Sequence, residues 1–348
     1  MTPTHELVGN LHMHTPFSDG EWYHAQIAEA AAAAGLDFAI TTDHNVWVQG
    51  PEGYHGDVLL LVGEEVHDNQ RRPQVNHMLI YGADAEMCLH ADSPQALIDA
   101  ARERSALAFI AHPYDYPLGF IGEDGLPWVD WEVEGYTGIE VWNYMTEFKA
   151  RLPNRLLAIW YAYFPAQAIR GPFRESLALW DRLLAEGRRA TGIGSADAHG
   201  STYTLGPFTR TIFPYEYLFR CVNLHLLVDG PPTREVSADK QAIYAALARG
   251  HGWIGYDLIG STKGFRFTAR SMANSAGMGD DLKRAAAVTF EVETPAPGRI
   301  RLVRAGKGVV ATARGQRLKH TTAEPGAYRV EVIRGGRGWI YSNPIYVH

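Results

Sequence analysis

The sequence predicts an α/β protein with a smaller all-β part at its C-terminal end. Three observations predict it. Strand-like and helix-like segments alternate with short connections through the first three-quarters of the chain. After about Ser261 helical periodicity stops, and short strand-like runs between glycine and proline turns replace it. Several apolar runs of the first part end in histidine or aspartate, and parallel α/β folds gather their sites at the carboxyl ends of strands.

Residues 7–13 are apolar and strand-like. The Ala-rich residues 25–34 predict a helix, with His24 in its first turn and Gly35 as its C-cap. Residues 38–42, 58–62 and 75–81 read as strands. Ser93 caps a helix over 94–104. Strands follow at 107–111 and 138–142, then helices at 147–160 and 173–186. Residues 192–196 and 208–213 are strand-like, 238–249 helical and 253–259 strand-like. This alternation implies parallel strands, as a barrel or a doubly wound sheet. Strands at 263–269, 287–293, 299–305, 328–333 and 339–346 predict a small β-sandwich, dividing the chain into 1–261 and 262–348. Tyr328-Arg329-Val330-Glu331-Val332 carries the period of two expected of a half-buried antiparallel strand.

The chain has 348 residues and a formal net charge of -7. From Thr262 onward Lys and Arg outnumber Asp and Glu by 15 to 6, leaving 17 against 33 before that point. Bound cations would offset part of this acidic excess, and the basic residues, scattered through strands, suit docking on the acidic part. The overall acidity argues against strong nucleic-acid binding. Residues 1–9 have no basic start and no apolar core, so no signal peptide is expected. The longest apolar stretch, 156–169, is short and broken by Pro165, so no membrane span is expected. Cys88 and Cys221 lie in no CxxC motif, and a reducing cytoplasm is the expected location.

The chemistry-bearing residues are His12, His14, Asp19, His44, Glu65, His77, His112, Asp197 and His199. Imidazole and carboxylate are ligands that divalent transition metals favour. His12 and His14 are two apart on a strand and so project from one face, and Asp197 and His199 repeat the spacing. His44 and His112 each follow an apolar run. The whole set points to a polynuclear metal site.

Asn10-Leu11-His12-Met13-His14 with Ser18-Asp19-Gly20, Thr42-Asp43-His44, His112-Pro113 and Asp197-Ala198-His199 resemble, in order, the four motifs of the polymerase-and-histidinol-phosphatase (PHP) superfamily. The resemblance covers residues 8–259 and implies a distorted (β/α)7 barrel with two or three metals, zinc, manganese or iron, at the strand ends. It implies that His12, His14, Glu65 and Asp197 hold one ion. Glu65, bridging, holds a second with His77 and His112, and Asp19, His44 and His199 hold a third. Glu65 rather than Glu64 fits the family's Gly-x-Glu pattern. Asp43 would orient a ligand imidazole. Some relatives carry histidine where Asp19 stands, so harder ions or weaker occupancy are implied there. Residues 338–347 look like the end of a PHP branch that includes carbaryl-hydrolase-like metallohydrolases with an appended β-domain.

Two such ions can bridge and ionise a water. The expected activity is hydrolysis of a small phosphomonoester or phosphodiester, with Glu65, Asp197 and His199 in the catalytic centre. An acid for the leaving group is optional, and Asp19, His199 or a metal-bound water could serve. Hydrolysis of carboxyl or carbamate esters at the same site is the second reading. A non-catalytic metal-bound binding protein is the third, and the complete ligand set argues against it. Arg210 is the first candidate for a phosphate clamp, and Arg71 and Arg72 read as a solvated turn. His67 shares the strand face of Glu65 and is expected as packing or as a partner of a ligand, not a ligand itself. The aromatic stretch 114–136 and Asn143 are candidates to line the cleft, and nothing marks Ser195 as a nucleophile.

Overall fold

The computed structural model describes residues 4–120, 122–205, 208–272, 274–284 and 286–348. Its strands are, in order, β1 (Thr4–Asn10), β2 (Phe38–Thr41), β3 (Gly53–His55), β4 (Val58–Val66), β5 (Met78–Tyr81), β6 (Leu107–Ile110), β7 (Gly138–Asn143), β8 (Thr191–Ser195), β9 (Thr202–Leu205), β10 (Phe208–Thr211), β11 (Val222–Asp229) and β12 (Gly252–Tyr256). The helices are α1 (His24–Ala34), α2 (Pro94–Glu103), α3 (Tyr144–Ala150), α4 (Arg155–Tyr163), α5 (Arg174–Ala185), α6 (Tyr215–Phe219) and α7 (Val236–Arg249). Gly35 ends α1 with φ of 79°, and the Ser93 hydroxyl caps α2 by accepting from the amide of Ala96. Among the described residues no helix is long and apolar enough to cross a membrane.

Both parallel and antiparallel ladders build the main sheet, which corrects the all-parallel expectation. β1–β2, β2–β4, β6–β7 and β7–β8 are parallel. β1–β11, β11–β12, β4–β5 and β5–β6 are antiparallel. β4 serves three partners: residues 59–62 pair with β2, residues 58–60 with β3 on the other side, and residues 63–66 with β5. The sheet curls until β8 meets β11 and β12. A Cβ at Gly194 would lie 2.3 Å from Ile254 Cγ2, so only glycine permits this approach. Ile40, Leu60, Phe109, Ile139, Ile193 and Leu224 are among the buried residues of the core inside the curl.

The remaining strands are β13 (Arg266–Arg270), β14 (Ser275–Gly277), β15 (Asp281–Leu282), β16 (Val288–Arg304), β17 (Gly308–Thr322), β18 (Gly326–Arg334), β19 (Arg337–Ser342) and β20 (Ile345–Val347). They surround a second apolar cluster that includes Trp253, Phe267, Phe290, Ile300, Val330 and Trp339. β12 pairs with β19, so the hydrogen-bonded sheet runs continuously from the first part into the second. The β9–β10 ribbon stands apart as a second small sheet. The chain is thus a mixed α/β protein with a large sheet and a small one.

Other sequence expectations are also corrected. The helix expected over 147–160 is two helices, because Pro153 cannot donate a backbone bond and Asn154 caps α4 through the amide of Leu157. The strands expected at 287–293 and 299–305 are one, β16, with its register shifted between Glu293 and Gly298, where the prolines fall. β17 was not expected: most of its side chains face solvent, so apolar alternation is absent there. β11 was not expected either, since Asn223 and His225 interrupt its apolar pattern.

Candidate metal centre

The nine sequence-singled residues converge beyond the ends of neighbouring strands. β1 ends at Asn10, and His12 and His14 lie just past it. Met13, between them, forms an isolated parallel bridge with Ala198, which lies between Asp197 and His199. The amide of His14 donates to Ala198 O at 2.9 Å, and that of Ala198 to His12 O at 3.2 Å. The two x-separated pairs therefore clasp each other by backbone. The Thr42 amide binds Met13 O at 2.8 Å, drawing in the segment of His44. His44 in turn bridges Glu65, at the end of β4. The Tyr215 hydroxyl lies 2.7 and 2.8 Å from the carbonyl oxygens of His14 and His199. A side chain at Gly20 would meet His14 O at 2.2 Å, which accounts for glycine after Asp19.

Glu65 is the hub. Its Oε1 lies 2.9 Å from His77 Nδ1 and 3.0 Å from His112 Nε2. Its Oε2 lies 2.9 Å from His12 Nε2, 3.2 Å from His14 Nε2 and 3.3 Å from His44 Nδ1. Asp197 Oδ1 stands 3.3 Å from both His12 Nε2 and His14 Nε2. Asp19, at the exposed edge, approaches His199 Nε2 at 3.3 Å and His44 Nε2 at 3.7 Å. Among the described residues five groups each offer donor atoms lying within 4.8 Å of one another, four of them here: His12, His14, Glu65 and Asp197; Glu65, His77 and His112; His14, Asp19, His44 and His199; and His44, His67 and His77; the fifth, Glu64, Glu86 and Cys88, lies apart. Glu64 faces away, its oxygens accepting from the amides of Met87 and Cys88.

These residues fit divalent ions. Three imidazoles commit one nitrogen elsewhere: His12 Nδ1 to Glu140, His77 Nε2 to Gln74 O and His199 Nδ1 to Asp197 O. Bound this way, the nitrogen carries the proton, and the other presents its lone pair to the cluster, as metal ligands require. His14 Nε2 and His44 Nδ1 are buried and have no hydrogen-bond partner. Both face Glu65 Oε2, at 3.2 and 3.3 Å, without making a hydrogen bond to it, and coordination would give them a bonded partner.

With no cation bound, the carboxylates favour protons on the same nitrogens, protons that a metal ion would displace. Burial acts to lower His12, His14 and His112, but the carboxylates of Asp197, Glu65 and Glu140 prevail. They raise His12 well above the ordinary histidine value, His14 to about 10 and His112 to about 9. Glu65 and Asp197 sit well below the usual carboxylate range, since the imidazoles around them overcome burial. Burial drives His44 well down and His67 to about 4. So dense a set of carboxylates and imidazoles, its inner members buried, calls for shared positive charge.

Sequence reasoning missed Glu140, a fully buried carboxylate in β7. Its Oε1 takes His12 Nδ1 and the Ser195 hydroxyl, and its Oε2 takes the His112 amide and Asn143 Nδ2. One carboxylate thus orients two predicted ligands. The available signal was an acid inside the apolar run Gly138-Ile139-Glu140-Val141-Trp142. Asn143 also reaches Asp197 Oδ2 at 3.2 Å, and its Oδ1 caps α3. His112 and Asp197 have φ of 23° and 57°, left-handed values that cluster at functional sites.

Two roles differ from expectation. Asp43 touches no ligand imidazole; it accepts from the Thr15 amide, the Thr15 hydroxyl and the Ser18 hydroxyl, and so shapes the loop that carries Asp19. Arg210 is not brought to the cluster. β10 pairs only with β9, and this ribbon turns the guanidinium over the Tyr163 ring, with Nε donating to Ala162 O at 2.6 Å. Arg71 pairs with Asp130. In the 114–136 stretch, where Ile121 lies outside the described residues, Trp128 is buried and its amide binds Pro113 O, next to His112.

No protein-family model and no curated protein matches the chain. Some solved structures do. A two-domain protein of Bacteroides vulgatus containing a predicted PHP-like metal-dependent phosphoesterase is 15% identical, with 99% of this chain and 97% of that one covered and a TM-score of 0.45. A candidate metal-dependent phosphoesterase of Bifidobacterium adolescentis is 14% identical over 57% of this chain and 91% of its own, with a TM-score of 0.33. An amidohydrolase of Chromobacterium violaceum is 16% identical over 61% of this chain and 96% of its own, with a TM-score of 0.29. At these identities and scores the likenesses assign neither family nor activity.

Proposed function

We propose that this chain is a metal-dependent phosphoesterase of the PHP superfamily, acting on a small phosphomonoester or phosphodiester. In this reading residues 1–261 form a distorted (β/α)7 barrel, and 262–348 a β-domain like that of the carbaryl-hydrolase-like branch. The carrying observation is Glu65, whose two oxygens face five imidazoles within 3.3 Å. Three adjacent donor groups suit two or three zinc, manganese or iron ions. Bound ions would ionise water near neutral pH and polarise the ester oxygen. Glu65 spans the two inner donor groups and fixes their spacing. Asn143 holds Asp197 Oδ2, aiming Oδ1 at the space it shares with His12 and His14, where it would serve as a donor to an ion. Asp19 and His199, on the solvent side, would serve the leaving oxygen.

Carboxyl-ester or carbamate hydrolysis is the second reading, favoured by one observation. Arg210, the sequence's phosphate clamp, is engaged by Tyr163 and Ala162 instead. Zinc-, manganese- and iron-loaded protein would be assayed on p-nitrophenyl phosphate, bis-p-nitrophenyl phosphate, naphthyl acetate and a naphthyl carbamate. Phosphate-ester turnover that chelator abolishes and metal restores is expected. Turnover of the carbon esters alone overturns the first reading in favour of the second.

A further inference from the structure

We propose that His67 is a metal-facing donor which, with His44 and His77, adds an all-imidazole position beside Glu65; the inference rests on the metallohydrolase reading. Val66 pairs with Met78 at the end of the β4–β5 ladder, so His67 and His77 stand opposite each other one step beyond it. Their rings stack at 4.3 Å with 11° between planes, and the His44 ring meets His67 edge-on at 5.0 Å. The His67 amide donates to the side chain of Asn45, which anchors it to the segment of His44. Each of the three histidines offers a nitrogen within 4.8 Å of the others.

Stacking alone would explain a flat apolar ring there. It does not explain a histidine that is 5% exposed and whose buried Nδ1 has no hydrogen-bond partner. Position 67 shares the face of Glu65 by the two-residue period, so the ring enters the same cavity as the other donors. Three neutral imidazoles suit zinc, copper, iron or nickel better than calcium or magnesium.

The test separates ring from donor. His67→Phe keeps a ring to stack on His77 but removes the nitrogens, and His67→Ala removes both. Metal-free protein and both variants are loaded with cobalt(II), with ions per chain counted, affinity measured against a chromogenic chelator and the visible spectrum recorded. Both variants are expected to lose about one ion per chain, or to bind their last ion about tenfold more weakly, with a changed cobalt spectrum. Wild-type count, affinity and spectrum in His67→Phe overturn the assignment and leave the metallohydrolase reading standing. Absence of cobalt binding by the wild type overturns both. Anomalous diffraction of the cobalt-loaded wild type decides the case without a variant. An ion about 2.0–2.3 Å from a His67 ring nitrogen is expected, and its absence there overturns the proposal.

Discussion

Two buried clusters of histidine and carboxylate stand out among the described residues, and they differ in one respect. Around Glu65 the imidazole nitrogens converge on a common space, and one buried nitrogen each of His14, His44 and His67 makes no hydrogen bond. Around His225 every polar atom is matched. Its Nδ1 binds Glu6 at 3.0 Å, and its Nε2 lies 2.9 Å from Asp257 and 2.8 Å from the Thr262 hydroxyl. Its ring stacks on Trp253 at 4.9 Å. The His225 bridge ties β1, β11 and the segment after β12 together, and nothing in it awaits a ligand. Burial and charge are common to both clusters. Unsatisfied donor capacity separates a site from a brace.

The strongest way to break the comparison is Glu65→Gln. If the hub organises ions, turnover should fall by about 10³-fold or more, about 4 kcal/mol in barrier, with bound metal lost and the far-UV circular dichroism retained. A variant that keeps its metal and its turnover but melts earlier would make the Glu65 cluster a second brace. The converse change is Asp257→Ala. It strips one of two charged partners from a buried histidine, Glu6 remaining, and should cost about 3 kcal/mol of stability in urea unfolding, leaving metal content untouched. Loss of metal in Asp257→Ala would erase the distinction between the clusters.

A finer probe is Glu140→Gln. Glu140 touches the candidate ligands His12 and His112 and is a positioning residue. Metal affinity should fall about 10–100-fold, read by chelator competition, while the number of ions at saturation is unchanged. A fall in that number instead would make Glu140 a ligand.

Much of the Glu65 cluster was legible because its members end apolar runs or sit two apart, and local pattern carries that information. His12-Met13-His14 and Asp197-Ala198-His199 are such patterns. Glu140 and His225 were not legible for the same physical reason as each other. Each is a single polar residue inside an apolar strand, and its partners come from distant segments: His12 lies 128 residues from Glu140, and Glu6 219 from His225. The contacts of Arg210 were not legible because the direction of a side chain on a ribbon depends on where the ribbon packs, and α4 supplied an aromatic ring for it. β17 escaped because its stability comes from backbone pairing with β16 and not from burial.

The smallest expected effect sharpens the brace through pH. Burial acts to lower His225, but Asp257 and Glu6 prevail and raise it above the ordinary 6.5. A raised histidine stabilises the fold fully below 6.5, and that contribution is lost as pH climbs through its folded value. Asp257 and Glu6 are depressed below 3.8 and 4.5, His225 overcoming the opposing effect of burial. Their contribution is present above those values and is lost as pH falls through the folded ones. The bridge is therefore strongest between about 4.5 and 6.5. The stability gap between wild type and His225→Gln, measured in urea with chelator present to silence the Glu65 cluster, should be widest at pH 5.5 and narrower at pH 8.5, by less than the whole loss in Asp257→Ala. A gap that widens with pH would mean that His225 is buried neutral. An uncharged ring could then donate to only one of Asp257 and Glu6, and its other nitrogen would accept from the Thr262 hydroxyl or stand against a carboxylate.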